Sequence, residues 1–245
     1  MIQFEIHKDN FINYFLNPIK KVNIEGNCSL YAKGGSLFSL AVTTDKTCVI
    51  FAEHKPDADV EDFERVHISD VKRLILALKC IGGDNIQLNI DEEKLFYSGK
   101  QFKFSTYLLD PKFAAKVGVN PDKIDSIVSD LEFSVTPQAL KDIKIAQMIA
   151  PDAGKLYFYT EDGQVFVNLN DKVKSKIDNA SLILSESYNG KEIVDPFVIS
   201  GEVFKLLTQF KDDVVFRLNT TKGALIIEAC TDQYKLKYIT SALVK

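Results

Sequence analysis

The sequence predicts an α+β protein made of two similar domains, each containing a duplicated unit of one strand, one helix and about three antiparallel strands. The prediction rests on four stretches in which a short strand leads through a capping residue into an amphipathic helix. The expected capping residues are Asp9, Ser69, Thr136 and Ser200. Their intervals of 60, 67 and 64 residues are nearly constant, and a near-constant period indicates internal repeats.

Local signals support each predicted helix. The second helix has apolar residues at the spacing of one buried face, namely Val71, Leu74, Ile75 and Leu78. At the third helix, Thr136 and Pro137 form the preferred pairing of a capping residue and a first-turn residue. The predicted helices cover Asp9–Val22, Ser69–Ile81, Thr136–Ile149 and Ser200–Lys211.

Strands precede and follow each helix, and Gly or Asp residues mark several of the hairpin turns between them. The strands before the helices are predicted at Ile2–Ile6, Val66–Ile68, Leu131–Val135 and Phe197–Ile199. In the first half the following strands are Ser29–Ala32, Leu37–Thr43, Thr47–Glu53, Ile86–Ile90, Lys94–Tyr97 and Gln101–Leu109. In the second half they are Lys155–Thr160, Val165–Leu169, Ser181–Ser185, Val214–Asn219, Ala224–Cys230 and Tyr234–Ser241.

The second and fourth quarters agree best in strand order and turn position, which predicts two similar domains at residues 1–110 and 131–245. The connector between them, residues 111–130, contains two prolines and little periodicity.

Composition narrows the class of protein. The 245 residues are 46% hydrophobic and carry a formal net charge of −4, which disfavours a protein that simply coats nucleic acid with a basic surface. The four cysteines form no CxxC pair and no metal-ligand spacing with the three histidines. The N-terminus lacks the apolar core of a secretory signal, and no apolar run is long enough to span a membrane. We therefore expect a soluble cytoplasmic protein without a metal ion or cofactor.

Charge is segregated along the chain. The four predicted helices sum to +5, which leaves −9 for the remainder. On the first helix, Asn10, Asn13, Asn17 and Lys20 form a polar stripe, and on the third Lys141 and Lys144 share one side. Such stripes suit weak phosphate contacts. A solvated helix face with no ligand is the alternative interpretation.

The duplicated architecture, its polar and basic helices and its acidic remainder resemble the DNA sliding clamps of the proliferating-cell-nuclear-antigen and tailed-phage type. The resemblance covers essentially the whole chain and is most persuasive at the four strand-to-helix joints and over residues 204–245. It implies a non-catalytic homotrimeric ring that encircles double-stranded DNA without sequence preference. It also implies a clamp loader and a replicative DNA polymerase as partners. A phage source would place the protein in the host cytoplasm.

The same resemblance implies roles for particular residues. The helices would line the central hole, with Lys20, Lys21, Lys72, Arg73, Lys79, Lys141, Lys144 and Lys205 facing the duplex and Lys211 near a helix end. A pocket for partner peptides would contain Val117, Val119, Pro121, Ile124, Ala242, Leu243 and Val244. Alternatively, these apolar residues only anchor the connector. Subunits would join through the edge strands Gln101–Leu109 and Ser181–Ser185.

Two other classes of protein compete with this interpretation. An enzyme is suggested by acidic clusters at residues 61–64 and 91–93, but no histidine stands at ligand spacing, and no Gly-rich phosphate loop, GxSxG or HExxH motif occurs. We therefore expect no catalytic residues. The second alternative is a ring-forming structural or assembly protein that never encloses DNA, and only the charge of the helices disfavours it.

Overall fold

The computed structural model describes residues 1–23, 26–114, 127–171 and 178–243. These residues form two compact units. The first holds the described residues before position 120 together with Cys230–Leu236, and the second holds the remainder. Each unit combines antiparallel sheets with helices, so the predicted α+β class is confirmed. Among the described residues, no helix has the length and apolar character needed to cross a membrane.

The first unit contains two four-stranded arrangements. Its strands are β1 (Ile2–His7), β2 (Cys28–Lys33), β3 (Ser36–Val42), β4 (Cys48–His54), β5 (Phe63–Ile68), β6 (Asn85–Ile90), β7 (Lys94–Ser98) and β8 (Lys103–Tyr107). One sheet has the order β1-β6-β7-β8, and strands β4-β3-β2-β5 are neighbours in the other. The helices are α1 (Lys8–Asn10), a π-helix (Phe11–Leu16), α2 (Asn17–Val22), α3 (Val71–Lys79) and a 3-10 turn (Pro111–Phe113).

The first helical segment differs from the prediction. It begins at Lys8 rather than Asp9, and the backbone N–H of Asn10 donates to Nδ1 of His7. A π-helix interrupts it, with the N–H of Asn17 bonded to the carbonyl of Ile12 five residues earlier. The interruption comes directly before Pro18, which lacks an N–H and crowds the carbonyl four residues back in an ordinary helix. A wider turn is compatible with that proline.

The capping residue of α3 is Asp70 rather than the expected Ser69. The backbone N–H of Arg73 donates to Oδ1 of Asp70 at 2.8 Å, whereas the Ser69 hydroxyl donates to the carbonyl of Tyr107 at 3.3 Å. The Ser69 hydroxyl is thus hydrogen-bonded to strand β8 and does not cap the helix. The predicted apolar face of α3 is confirmed, because Val71, Leu74, Ile75 and Leu78 are all buried.

The second unit repeats this plan. Its strands are β9 (Leu131–Val135), β10 (Lys155–Glu161), β11 (Gln164–Asn170), β12 (Ala180–Ser185), β13 (Asn189–Gly190), β14 (Phe197–Ser200), β15 (Val214–Asn219), β16 (Ala224–Cys230) and β17 (Tyr234–Ser241). One sheet has the order β12-β11-β10-β14, and β13-β9-β15-β16 are neighbours in the other. The helices are α4 (Pro137–Ile149) and α5 (Glu202–Leu206). Thr136 caps α4 as predicted, accepting the N–H of Ala139 at 3.1 Å.

The fourth helix is much shorter than the predicted Ser200–Lys211. It covers only Glu202–Leu206, and the backbone of Leu207 is already extended. Leu207 and Phe210 are both buried, so the chain leaves the helix to place them in the core. The freed N–H of Thr208 donates to the Tyr238 hydroxyl at 3.2 Å. Lys211 therefore lies outside any helix.

Candidate nucleic-acid interface

The first unit presents five basic side chains from two neighbouring helices. They are Lys20 and Lys21 on α2, and Lys72, Arg73 and Lys79 on α3, and all five are exposed. We call this set the first cationic face. Within Val71–Lys79 there is no acidic residue, and the capping Asp70 contributes one negative charge at the start of α3 beside its three positive charges.

The apolar sides of the two helices direct this face outwards. In α2, Ile19 and Val22 are buried, and α3 buries four apolar residues at helical spacing. Asn13 and Asn17 extend the polar surface along the first helical segment, and the side-chain amide of Asn17 donates to Oδ1 of Asn13 at 3.4 Å. Helices α2 and α3 contact each other, so the five exposed residues lie on adjacent helices of this unit.

The predicted basic residues of the second unit are in different surroundings. Lys141 is exposed, but Lys144 is half-buried and its ammonium donates to the carbonyl of Leu207 at 3.3 Å. Burial lowers the pKa of Lys144 below its ordinary value. Lys205 is exposed and lies 2.6 Å from the carboxylate of Glu202. Of these three residues, only Lys141 is both exposed and clear of the contacts just described.

Helix α4 also exposes large apolar side chains, which the sequence analysis did not identify. Ile145 and Ile149 are more than half exposed, and Met148 is 80% exposed. Lys141, Ile145 and Met148 follow one another at spacings of four and three, so they lie on the same side of the helix. The sequence contains this periodicity. The periodicity did not indicate an exposed face, because apolar residues at such spacing usually form a buried one.

The observed helical segments strengthen the predicted segregation of charge. Residues 8–22, 71–79, 137–149 and 202–206 contain nine basic and three acidic side chains, a net charge of +6. Since the whole chain carries −4, the remainder carries −10. The predicted values were +5 and −9, and they change because the helix bounds differ.

The predicted partner pocket is only partly within the described residues. Val117, Val119, Pro121, Ile124 and Val244 lie outside them. Ala242 and Leu243 line a cleft of about 440 Å³ in the second unit. We call it the C-terminal cleft, and its walls include Ile193, Val194, Phe197, Thr220, Ala242 and Leu243. The N–H of Leu243 donates to the carbonyl of Val198 at 2.8 Å, which holds the end of the described chain against the start of β14.

Both strands expected to join subunits lie at sheet edges. β8 is the last strand of the sheet β1-β6-β7-β8, and β12 is the first strand of the sheet β12-β11-β10-β14. β8 is shorter than the predicted Gln101–Leu109, and β12 nearly coincides with Ser181–Ser185. Each exposes a large apolar side chain, Tyr107 on β8 and Ile183 on β12. These edges offer unpaired backbone groups and apolar contact surface.

The acidic clusters serve local structure. The carboxylate of Asp62 accepts the N–H of Gly34 at 2.7 Å, and that of Asp91 accepts the N–H groups of Glu93 and Lys94. The hydrogen bond from Glu93 is the main reason that the pKa of Asp91 is lowered. Within the described ranges, no group of three or more His, Cys, Asp or Glu side chains is arranged to hold a metal ion.

No family model and no curated protein matches this sequence. Solved structures do match. A proliferating cell nuclear antigen (PCNA) from A. fulgidus, with the C-terminal region of FEN-1 bound, is 15% identical at a TM-score of 0.79, covering 100% of this chain and 99% of that one. The Entamoeba histolytica PCNA is 12% identical at 0.76, covering 99% of both chains. The Thermotoga maritima DNA polymerase III β subunit is 11% identical at 0.73, covering 100% of this chain and 65% of that one. The predicted resemblance is confirmed for the fold: this chain has the fold of the PCNA and β-subunit sliding clamps.

Proposed function

We propose that this protein is a DNA sliding clamp that encircles duplex DNA and tethers a replicative DNA polymerase. The observation that carries the proposal is the segregation of charge on a clamp fold, with +6 on the helices and −10 elsewhere. A clamp needs contacts with the phosphate backbone that are weak enough to slide and an exterior that does not adhere to other DNA. In this assignment residues 1–110 and 131–245 are the two clamp domains and residues 111–130 the connector.

Ring formation follows from the two exposed sheet edges. Pairing β8 of one copy with β12 of the next is a head-to-tail contact, and repetition of such a contact closes a ring when the rotation permits. Three copies give six domains around the opening, with three times the net charge of +6 on their helices. Retention on DNA then comes from topology rather than from affinity.

The partners of such a ring are double-stranded DNA, a DNA polymerase and a clamp loader. The C-terminal cleft is the candidate site for peptides from the protein partners, because it combines apolar and polar lining residues next to the end of the described chain. The A. fulgidus PCNA structure, which has the C-terminal region of FEN-1 bound, supports peptide docking as a property to test here. Leu243→Asp is expected to lower polymerase processivity while leaving retention on DNA unchanged.

Retention on circular DNA tests the central claim. The protein is loaded on nicked circular DNA with a clamp loader, and bound protein is measured before and after the circle is cut. We expect retention on the circle, loss from the linear product and a longer polymerase product in its presence. If the protein is not retained on the circle, cutting the circle makes no difference and the polymerase product is no longer than background, the clamp function is contradicted. That outcome favours the ring-forming assembly protein.

Mass in solution tests the ring. We expect a trimer of about three times 27.5 kDa. The double variant Tyr107→Lys with Ile183→Lys places like charges on both edges and is expected to give monomers that are not retained on DNA. Val194→Lys changes a side chain that is 85% exposed outside these strands and serves as the matched control. A trimer that persists in the double variant contradicts the proposed junction.

A further inference from the structure

The two units share a fold but present different helical surfaces. The first cationic face has five exposed basic side chains, and the acidic residue that accompanies the three on α3 is the capping Asp70. In the second unit Lys144 is half-buried against a backbone carbonyl and Lys205 is paired with Glu202. The positive charge available to a ligand is therefore concentrated on one unit.

Apolar side chains occupy the corresponding surface of the second unit. Ile145 and Met148 lie on the same side of α4 as Lys141, and Ile149 extends the exposed apolar area at the end of that helix. Saturated side chains neither donate hydrogen bonds to phosphate oxygens nor attract them electrostatically. In addition, the C-terminal end of a helix carries a partial negative charge, which disfavours an anion near Met148 and Ile149.

We propose that the first unit alone makes the main phosphate contacts, through Lys20, Lys21, Lys72, Arg73 and Lys79, and that α4 acts as a weakly charged spacer facing the duplex. This inference rests on the proposed clamp function and refines its DNA-binding surface. Each phosphate that a basic side chain neutralises releases counterions and steepens the dependence of affinity on salt by about 0.9 in logarithmic slope. In a ring whose phosphate contacts are confined to alternate units, the weakly charged α4 helices separate one group of contacts from the next.

Two matched variants test the difference between units. Lys72→Gln with Arg73→Gln removes two charges from the first unit, and Lys141→Gln with Lys205→Gln removes two from the second. Binding of the full-length protein to a fluorescently labelled linear duplex is measured by anisotropy over a range of salt concentrations. Trimer mass and circular dichroism establish that each variant is folded.

We expect the first pair to lower affinity about tenfold and to reduce the salt slope by about 2 for each engaged subunit. The second pair is expected to lower affinity less than twofold. Equal losses, or a larger loss from the second pair, overturn the inference. The retention assay on circular DNA distinguishes this result from failure of the clamp function. If the wild-type protein is retained on the circle but both variant pairs lose affinity equally, only the proposed difference between the two units is contradicted.

A gain-of-charge variant tests the spacer. Ile145→Lys with Met148→Lys adds two exposed charges to α4, and we expect affinity for the same duplex to rise about tenfold with a steeper salt slope. As a matched control, Val128→Lys adds one charge at a side chain that is 75% exposed elsewhere in the second unit, and it is expected to change affinity less than twofold. If the α4 variant binds no better than this control, α4 does not face the duplex and the spacer is refuted.

Discussion

Two sheets, one in each unit, have far faces that are stabilised by different chemistry. In the first unit, the face away from the helices carries a row of aromatic rings across β2, β3 and β4. The ring centroids of Tyr31 and Phe38 are 5.3 Å apart, and those of Phe38 and Phe51 are 5.8 Å apart. The Arg65 guanidinium lies 5.4 Å from the Tyr31 ring centroid. These contacts are mainly apolar and depend little on salt.

In the second unit the sheet that contains β9, β15, β16 and β17 carries charges on this kind of face. Arg217 on β15 bonds to Glu132 on β9 at 2.7 Å and to Glu228 on β16 at 2.5 Å. The ammonium of Lys237 lies 4.0 Å from Glu228, and both of these side chains are almost fully buried. The hydrogen bond to Glu132 is the main reason that the pKa of Arg217 is raised. Charged groups thus link four neighbouring strands, β9, β15, β16 and β17.

This difference shows that a sheet of this fold tolerates either chemistry on its far face. Both the aromatic row and the charged network connect neighbouring strands, but the loss of one member has a different energetic cost in each. Loss of a ring removes contact area in proportion to what was buried. Loss of one buried charge leaves its partner desolvated and uncompensated, which costs more than the pair itself contributes.

The largest expected effect comes from Glu228→Gln. Glu228 is only 8% exposed and is shared by Arg217 and Lys237, so its neutralisation leaves two cations without their common carboxylate. We expect the free energy of unfolding to fall by about 3–5 kcal/mol. Thermal and urea-induced unfolding measure this loss.

Glu132→Gln is the matched control for that prediction. The Glu132 side chain is half exposed and keeps only the Arg217 contact, so its neutralisation is expected to cost less than about 1 kcal/mol. Equal costs for the two variants would show that burial of Glu228 does not govern the network.

The second prediction concerns acid, which distinguishes the core of the first unit from the ionic face of the second. His54 on β4 is buried against Phe11 and Phe15, and neither ring nitrogen has a hydrogen-bond partner. Burial lowers the pKa of His54 to about 4, with a smaller effect from His7. Above pH 6.5 both folded and unfolded forms are neutral. Below it the unfolded chain gains a proton that the folded chain does not, so stability falls until about pH 4.

The expected loss from His54 is about 3 kcal/mol across that range, since each pKa unit corresponds to 1.36 kcal/mol. Urea midpoints between pH 7 and pH 4 measure it, and His54→Leu should flatten the profile. His67→Gln is the control: the pKa of His67 is also lowered, but its ring is partly exposed, and we expect little change in the profile. An unaltered profile in His54→Leu would assign the acid sensitivity to other groups.

The sequence was sufficient for most strands because their signals are local, but β13 was not predicted and β5 begins at Phe63 rather than at the predicted Val66. Alternating apolar residues predicted β15, β16 and β17 at their observed bounds, and Thr136 with Pro137 predicted the start of α4. The errors arose where tertiary contacts decide. The fourth helix ends early because Leu207 and Phe210 enter the core, and Ser69 loses the cap to Asp70 because its hydroxyl bonds to β8.

For the candidate interface, too, the predictions that rest on local patterns were correct, and those that depend on distant contacts were not. Exposure of Lys72, Arg73 and Lys79 follows from the periodicity of one helix, so the sequence predicted it correctly. The contact of Lys144 with the Leu207 carbonyl joins residues 63 positions apart, and no local pattern predicts it. The π-helix before Pro18 likewise depends on how one proline is accommodated in a packed segment.

The third prediction tests the aromatic row. Phe38 is partly exposed and lies between Tyr31 and Phe51, so Phe38→Ala is expected to lower the free energy of unfolding by about 2 kcal/mol, less than a fully buried ring would. Unfolding at low and high salt should give the same loss, in contrast to Glu228→Gln. Phe38→Leu retains most of the apolar contact and is expected to cost about half as much. A strongly salt-dependent loss would contradict an apolar row.

The smallest expected effect compares the same residue type on the two faces. Arg65 lies over a partly exposed ring, whereas Arg217 bridges two carboxylates, one of them buried. A double-mutant cycle of Arg65→Met with Tyr31→Leu should give a coupling energy of about 0.5–1 kcal/mol, because solvent screens a cation at a partly exposed ring. Arg217→Met, which removes the guanidinium bonded to the buried Glu228, should cost several times more in thermal unfolding. If the two arginines contribute equally, the far faces differ in composition but not in mechanism, and the ionic network of the second unit has no special energetic role.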